Sequence, residues 1–185
     1  VNLGFHGRLP RVGKAGGRRR IAVALGGTSR AAMPQIGLGL PAEEAIHALA
    51  SIDLIKAAGP QLLVARIDLR HGHGSAELER YRQLGEATGA GVVLEIVIPG
   101  RRAPSAELAR FAREVARSGL TPVAVAISPA ADLKAVLPGS KGPKVPPLPD
   151  IYRAARAAFP DVPLGGGMFS FFTELNRKRP PAELL

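Results

Sequence analysis

The chain of 185 residues is 46% hydrophobic, which is enough apolar material for one well-packed domain. It contains no cysteine, which excludes a disulfide framework and a cysteine-based zinc site. Gly, Pro and Arg interrupt every apolar run before it reaches the roughly 18 residues of a membrane span, so we predict a soluble, cytoplasmic protein without a membrane partner.

The net charge is +10, and the basic residues are densest in residues 8–20. Such a segment is typical of nucleic-acid binding. Only 4% of the residues are aromatic, however, which is too few for a surface on which bases stack. The other arginines stand beside Glu and Asp in helical segments. We therefore predict no nucleic-acid partner, and we interpret residues 8–20 as a flexible basic connector.

Short apolar or β-branched runs alternate with longer stretches of helical periodicity, which is the pattern of repeated βα units on a parallel sheet. Strands are predicted at residues 34–40, 61–69, 91–98, 121–128 and 162–172. Helices are predicted at residues 42–57, 75–88, 105–117 and 150–159. A closed parallel barrel requires about eight such units and about 250 residues. We predict an α/β fold, a partial parallel (β/α) TIM-like barrel made of its first five strand–helix units, with an open sheet as the alternative.

The partial barrel is predicted to occupy residues 34–185. We interpret residues 1–33 as the end of a preceding β-rich domain and a connector, because a strand-like run at residues 21–25 is followed by two glycines. The chain starts at Val1 and not at Met, so we expect the natural start to lie upstream or to have been processed.

In the second and third predicted strands, charged residues occupy one set of alternate positions and apolar residues occupy the other set. Arg66 and Asp68 alternate in the second strand, and Glu95 lies in the third. In a parallel barrel this parity points to the interior, where an unpaired charge costs several kcal/mol. We expect Arg66 to pair with Glu95 or Asp68, in a bridge that either holds the barrel together or faces a substrate. Asp68 lies nearer the C-terminal end of its strand, where barrel active sites are found.

Two histidines, His71 and His73, follow the second strand in the sequence HGHG. Imidazoles titrate near neutral pH and can act as general bases or bind metals. Loop histidines between glycines are also commonly exposed to solvent without a function. The sequence shows no third ligand for a metal. We keep His71 as a candidate substrate-binding residue and predict no metal site.

The segment after the fifth strand, FSFFTELNRKRPP at residues 169–181, combines aromatic and polar residues. Glu174 and Asn176 beside the phenylalanines fit the polar anchors and apolar wall of a sugar-like site. Arg177 or Lys178 can hold a carboxylate. The alternative is a loop whose charges face water.

This segment, preceded by GGGM at residues 165–168, looks like the barrel motif of D-apionate lactonases. PQIGLGLP at residues 34–41 and RIDLR at residues 66–70 are similar to the first two barrel strands of that family. The resemblance covers residues 34–185. It implies a hydrolase that opens D-apionolactone to D-apionate in D-apiose catabolism, with a β-rich domain before the barrel and a further domain after it. The family pattern continues beyond residue 185 into a segment with His and Asp.

Lactone hydrolysis needs a base that activates water and groups that stabilise the acyl oxyanion. Our hypothesis is that Glu174 or Asp68 is the base and that Arg66 and Asn176 bind substrate hydroxyls or stabilise negative charge. The remaining substrate-binding candidates are Glu95, His71 and Arg177. We expect a small sugar lactone as the partner, and no cofactor. The alternatives are a glycoside hydrolase that uses Glu95 and Glu174 as paired carboxylates, or a non-catalytic carbohydrate-binding fragment.

Overall fold

Five parallel strands form one sheet, in which each strand pairs with the one that follows it in the chain. The computed structural model describes residues 33–134, 137, 140–141, 143–170 and 179–185. The strands are β1 (Gly37–Pro41), β2 (Leu62–Asp68), β3 (Gly91–Ile98), β4 (Ala124–Pro129) and β5 (Leu164–Gly166). Within these residues the strand order does not reverse, whereas a doubly wound sheet has a switch point. The order is that of the first five units of the predicted barrel.

Helices connect the strands and cover one face of the sheet. They are α1 (Ala45–Ala50), α2 (Ile52–Ala58), α3 (Ser75–Thr88), α4 (Pro104–Ser118) and α5 (Leu148–Ala158). The first predicted helix, residues 42–57, is divided into a 3-10 turn (Ala42–Glu44), α1 and α2. The last division falls at Ser51, whose φ of −112° and ψ of 29° are not helical values. The other predicted helices agree with the structure to within two residues.

Alternation along the strands separates a buried, helix-facing side from an inner side. On the helix-facing side of β2 and β3 the side chains are almost fully buried and pack against α3 and α4. These positions are Leu63, Ala65, Ile67, Leu94 and Ile96. The opposite parity places Val64, Arg66 and Glu95 half-buried on the other face. This face is the inner one in a barrel, as the alternation in the sequence predicts.

The fifth strand is shorter than predicted. The sequence pattern predicts residues 162–172, but β5 ends at Gly166 because Gly167 adopts a φ of 109°, which interrupts the extended backbone. Residues 171 and 172 lie outside the described residues. β1 and β4 each begin three residues later than predicted. Pro34 and Pro122 stand in the predicted early parts of these strands and have no N–H to donate to a ladder.

Two buried tyrosines from the helices tie neighbouring strand ends together. The Tyr81 hydroxyl of α3 lies 2.8 Å from the Leu40 carbonyl oxygen and 3.1 Å from the Arg66 carbonyl oxygen, so it joins β1 to β2. The Tyr152 hydroxyl of α5 donates to the Ile127 carbonyl at 3.2 Å and accepts from the Gly167 N–H at 3.1 Å. Burial raises the pKa of Tyr152 to about 12, so its hydroxyl keeps the proton that it donates.

Replacing Tyr81 by Phe tests how much the hydrogen bonds of the Tyr81 hydroxyl contribute to stability. The ring would keep its packing, but two strand-end carbonyls would lose their donor, and we expect a loss of about 1–2 kcal/mol in the free energy of unfolding. Urea-induced unfolding measures this loss. Gln83→Ala, on the exposed side of the same helix, is the control and should change the free energy of unfolding by less than about 0.5 kcal/mol. Equal unfolding midpoints for wild type and Tyr81→Phe would show that the Tyr81 hydroxyl does not stabilise the ends of β1 and β2.

The predicted end of a β-rich domain and its connector, residues 1–33, falls almost wholly outside the described residues, as does the basic segment 8–20. Both interpretations therefore stay predictions. Among the helices that the structure describes, none combines the length and the apolar character that crossing a bilayer requires.

Candidate functional site

An ion pair between Arg66 and Glu95 lies on the inner face of the sheet. The two residues are register partners on β2 and β3, and Arg66 Nε donates to Glu95 Oε2 at 2.8 Å. In the same register row, Ala126 of β4 and Gly165 of β5 carry little or no side chain. The row therefore presents one ion pair, with small residues on the Glu95 side of it.

Arg66 also reaches the chain that follows β5. Its Nη2 donates to the Phe169 carbonyl oxygen at 3.1 Å, and its Cζ lies 5.6 Å from the centroid of the Phe169 ring, a cation–π distance. The guanidinium thus links β2, β3 and the chain that follows β5 at the inner face. The aromatic and polar segment that the sequence identifies as functional starts at Phe169, so Arg66 connects the second strand to its beginning.

Asp68, at the end of β2, is held by Arg70 in the 3-10 turn that follows. Asp68 Oδ1 accepts the Arg70 backbone N–H at 2.9 Å, and Arg70 Nη2 donates to Oδ2 at 2.6 Å. Arg70 Nε lies 3.0 Å and 3.2 Å from the two oxygens. Burial raises the pKa of the Asp68 carboxyl, but the hydrogen bonds and charge of Arg70 lower it by more, so the net shift is downward. Such a carboxylate is a weak proton acceptor, which favours a structural anion over the predicted base.

A cluster of three side chains, Glu43, His71 and His73, lies at the C-terminal ends of β1 and β2. Glu43 Oε1 is 3.6 Å from His71 Nδ1 and 3.5 Å from His73 Nε2. The His73 side chain is only 13% exposed, and its Nδ1 accepts the Asp68 backbone N–H at 3.1 Å. The pairing of β1 with β2 ends at Pro41 and Arg66, so the Asp68 N–H has no partner in β1. The His73 imidazole accepts this N–H instead. We name this group the Glu43–His71–His73 cluster.

The other candidates from the sequence lie outside the described residues. They are Glu174, Asn176 and Arg177. The structure brings Arg66 and Glu95 together, and it pairs Asp68 with Arg70 and not with Arg66. It places His71 beside Glu43, a residue that the sequence analysis did not select.

The comparisons with known proteins agree with this architecture. Residues 36–185 match the family described as D-apionate lactonase, TIM barrel domain. The chain belongs to the D-apionate lactonase family. A curated D-apionate lactonase of Brucella anthropi is 42% identical to it over 165 residues, which are 89% of this chain and 27% of the relative. The chain therefore spans about a quarter of that relative's length. The family resemblance and the predicted barrel fold are confirmed.

Membership of a D-apionate lactonase TIM barrel domain indicates at which end of the strands the active site is expected. Active sites of such barrels lie at the C-terminal ends of the strands. Arg66 and Asp68 lie in the last part of β2, and Glu43 and His71 follow β1 and β2 on the same edge. The signal that places Glu43 on this edge was present in the sequence, because the residues just after two adjacent parallel strands share one edge. The sequence analysis missed the pairing of Arg70 with Asp68. These residues are two positions apart, and they meet because the chain enters a 3-10 turn after β2, which strand parity does not predict.

Proposed function

We propose that this chain is part of the barrel domain of a cytoplasmic hydrolase that opens D-apionolactone to D-apionate in D-apiose catabolism. The observation that carries the proposal is the inner-face Arg66 within a D-apionate lactonase barrel domain. Its Nε and Nη2 are bound by Glu95 and Phe169, which fixes the plane of the guanidinium. With 37% of the side chain exposed, further N–H groups can reach the oxygens of a substrate.

The proposed reaction adds water to the lactone carbonyl and breaks the ring C–O bond, which gives a carboxylate, a hydroxyl group and a proton. A general base activates the water, and Glu174 is our proposed base. Arg66 and Asn176 would stabilise the oxyanion or bind hydroxyls, and Arg177 and His71 would hold further polar groups of the substrate. Asp68, bound on both oxygens by Arg70, would keep the loop after β2 in place.

The glycoside hydrolase alternative requires Glu95 to work with Glu174 as a carboxylate pair. Glu95 Oε2 already accepts the Arg66 Nε–H at 2.8 Å, so this oxygen faces the guanidinium and not a glycosidic bond. This contact favours the lactonase over a glycosidase that uses Glu95 as its acid. Sugar binding without turnover is the second alternative.

A substrate panel on the full-length enzyme tests the proposal. D-apionolactone and other five-membered sugar lactones should release acid, measured in a pH-stat, at least about 100-fold faster than without enzyme, in the range that a positioned base supplies. Aryl glycosides should release no phenol. Glycoside cleavage without lactone opening would establish the glycosidase alternative. Saturable sugar binding with no turnover of either substrate would establish the binding fragment.

A further inference from the structure

We propose that the Glu43–His71–His73 cluster is a binding site for a divalent transition-metal ion of the zinc class. Each of the three residues offers one ligand atom, and all three atoms lie within 4.8 Å of one another. Two imidazoles and a carboxylate are the donor types that zinc and related ions prefer. The sequence analysis predicted no metal site because it found only the two histidines.

The distances within the cluster suit ligands better than hydrogen-bond partners. The separations of 3.5 Å and 3.6 Å between Glu43 Oε1 and the histidine nitrogens exceed the 2.7–3.2 Å of an ordinary N–H···O bond. Metal–ligand bonds of about 2.0–2.1 Å in a tetrahedral arrangement place neighbouring ligand atoms about 3.3 Å apart. The two measured separations are therefore close to the edges of a coordination tetrahedron.

The fold explains why these residues meet although Glu43 and His71 are far apart in sequence. Glu43 lies in the 3-10 turn after β1, and the two histidines lie in the loop after β2, so the parallel strands bring both groups to one edge. Gly72 between the histidines has a φ of 76°, which reverses the chain locally. The His71 and His73 rings are 5.5 Å apart at an angle of 78°.

The three side chains combine one fixed ligand with two adjustable ones. His73 is only 13% exposed, so its surroundings restrict the ring. Glu43 and His71 are 58% and 56% exposed and can close around an ion. Three protein ligands leave at least one coordination position open, which is the arrangement of catalytic and not of structural zinc sites.

Metal binding has a definite consequence for His73. Its Nδ1 accepts a hydrogen bond and carries no proton, so the neutral ring holds its proton on Nε2, which faces Glu43. A histidine that binds metal through Nε2 carries the proton on Nδ1. Loading the site must therefore move this proton and release the Asp68 N–H to water. The Asp68 amide consequently reports occupancy independently of any enzyme activity.

The test is titration of the metal-free chain with Zn²⁺ by calorimetry and with Co²⁺ by visible absorption. We expect one ion per chain at this site, a Co²⁺ spectrum of low coordination number, and a shift of the Asp68 amide resonance on loading. His71→Ala, His73→Ala and Glu43→Gln should each weaken binding at least about tenfold, because losing even a hydrogen-bond partner of a metal ligand typically costs about 10–100-fold in metal affinity. His47→Ala and Glu44→Gln remove an exposed residue of the same type nearby and should leave the affinity unchanged.

Two results would overturn the proposal. One is Zn²⁺ binding by the wild type that is no tighter than binding by the His71→Ala/Glu43→Gln double variant. The other is equal weakening by the control substitutions, which would place the ion elsewhere in the chain. Since His71 and Glu43 are exposed, their substitution should leave the fold intact, and the far-ultraviolet circular dichroism spectrum checks this.

Discussion

Gly166→Ala is expected to destabilise the fold by about 3 kcal/mol, whereas Gly165→Ala should change the free energy of unfolding by less than about 0.5 kcal/mol. A Cβ at Gly166 would overlap the Tyr152 hydroxyl and would lie 2.5 Å and 2.7 Å from two atoms of its ring. At Gly165 the nearest neighbour of an added Cβ is the Ala126 Cβ, at 3.9 Å. Neither glycine has a positive φ, so the difference between the variants reports space alone.

Urea-induced unfolding of the two alanine variants measures this difference. A double-mutant cycle identifies its cause, because Tyr152→Ala removes the atoms that Gly166→Ala would meet. In the Tyr152→Ala background, Gly166→Ala should cost less than about 1 kcal/mol, which is a strong departure from additivity. Equal unfolding midpoints for Gly165→Ala and Gly166→Ala in the wild-type background would show that Tyr152 does not contact the end of β5 in this way.

The inner face of the sheet could be predicted from the sequence because strand parity is a local property. Arg66 and Glu95 alternate with residues such as Leu63 and Leu94 that are buried against helices, and a period of two assigns them to opposite faces. The high cost of an unpaired buried charge predicted that Arg66 pairs with Glu95 or Asp68, and the structure contains the Arg66–Glu95 pair. These predictions required no knowledge of the loops.

The end of β5 could not be predicted in the same way. Residues 162–172 read as one apolar strand interrupted by glycines, but the extended backbone stops where Gly167 turns and donates its N–H to Tyr152. That donor–acceptor pair joins a helix residue to a strand end 15 residues later. The position of such a contact depends on how α5 packs on the sheet. The residue pattern of the strand itself carries no information about that packing.

The sequence analysis missed Glu43 for a related reason. An acidic residue in the first turn after a strand is adequately explained by the dipole of the following helix. Its proximity to His71 follows only when the register of β1 and β2 is known. The general rule that parallel strands end on one edge places the residues after the first strand on the same edge as the HGHG loop, but it does not select Glu43 among them.

In the full-length enzyme, Glu174→Gln is expected to lower kcat for lactone opening at least about 100-fold, and Asp68→Asn less than about tenfold. Both carboxylates were candidates for the base. Asp68 is now shown to accept hydrogen bonds from Arg70 on both oxygens, so it has little capacity left to take a proton from water. Glu174 lies five residues after Phe169, whose carbonyl is bound by Arg66 on the inner face. Glu174 is therefore the candidate that remains for the base.

Steady-state kinetics across the pH range distinguish the two residues. Loss of a general base removes the acidic limb of the kcat profile, whereas loss of a structural anion leaves the profile in place and affects stability instead. Glu86→Gln, an exposed residue on α3, is the matched control and should retain wild-type turnover. If Asp68→Asn loses as much turnover as Glu174→Gln and also flattens the acidic limb, the base is Asp68, and Arg70 must then release it during the reaction. Normal turnover by Glu174→Gln would remove Glu174 from the base role.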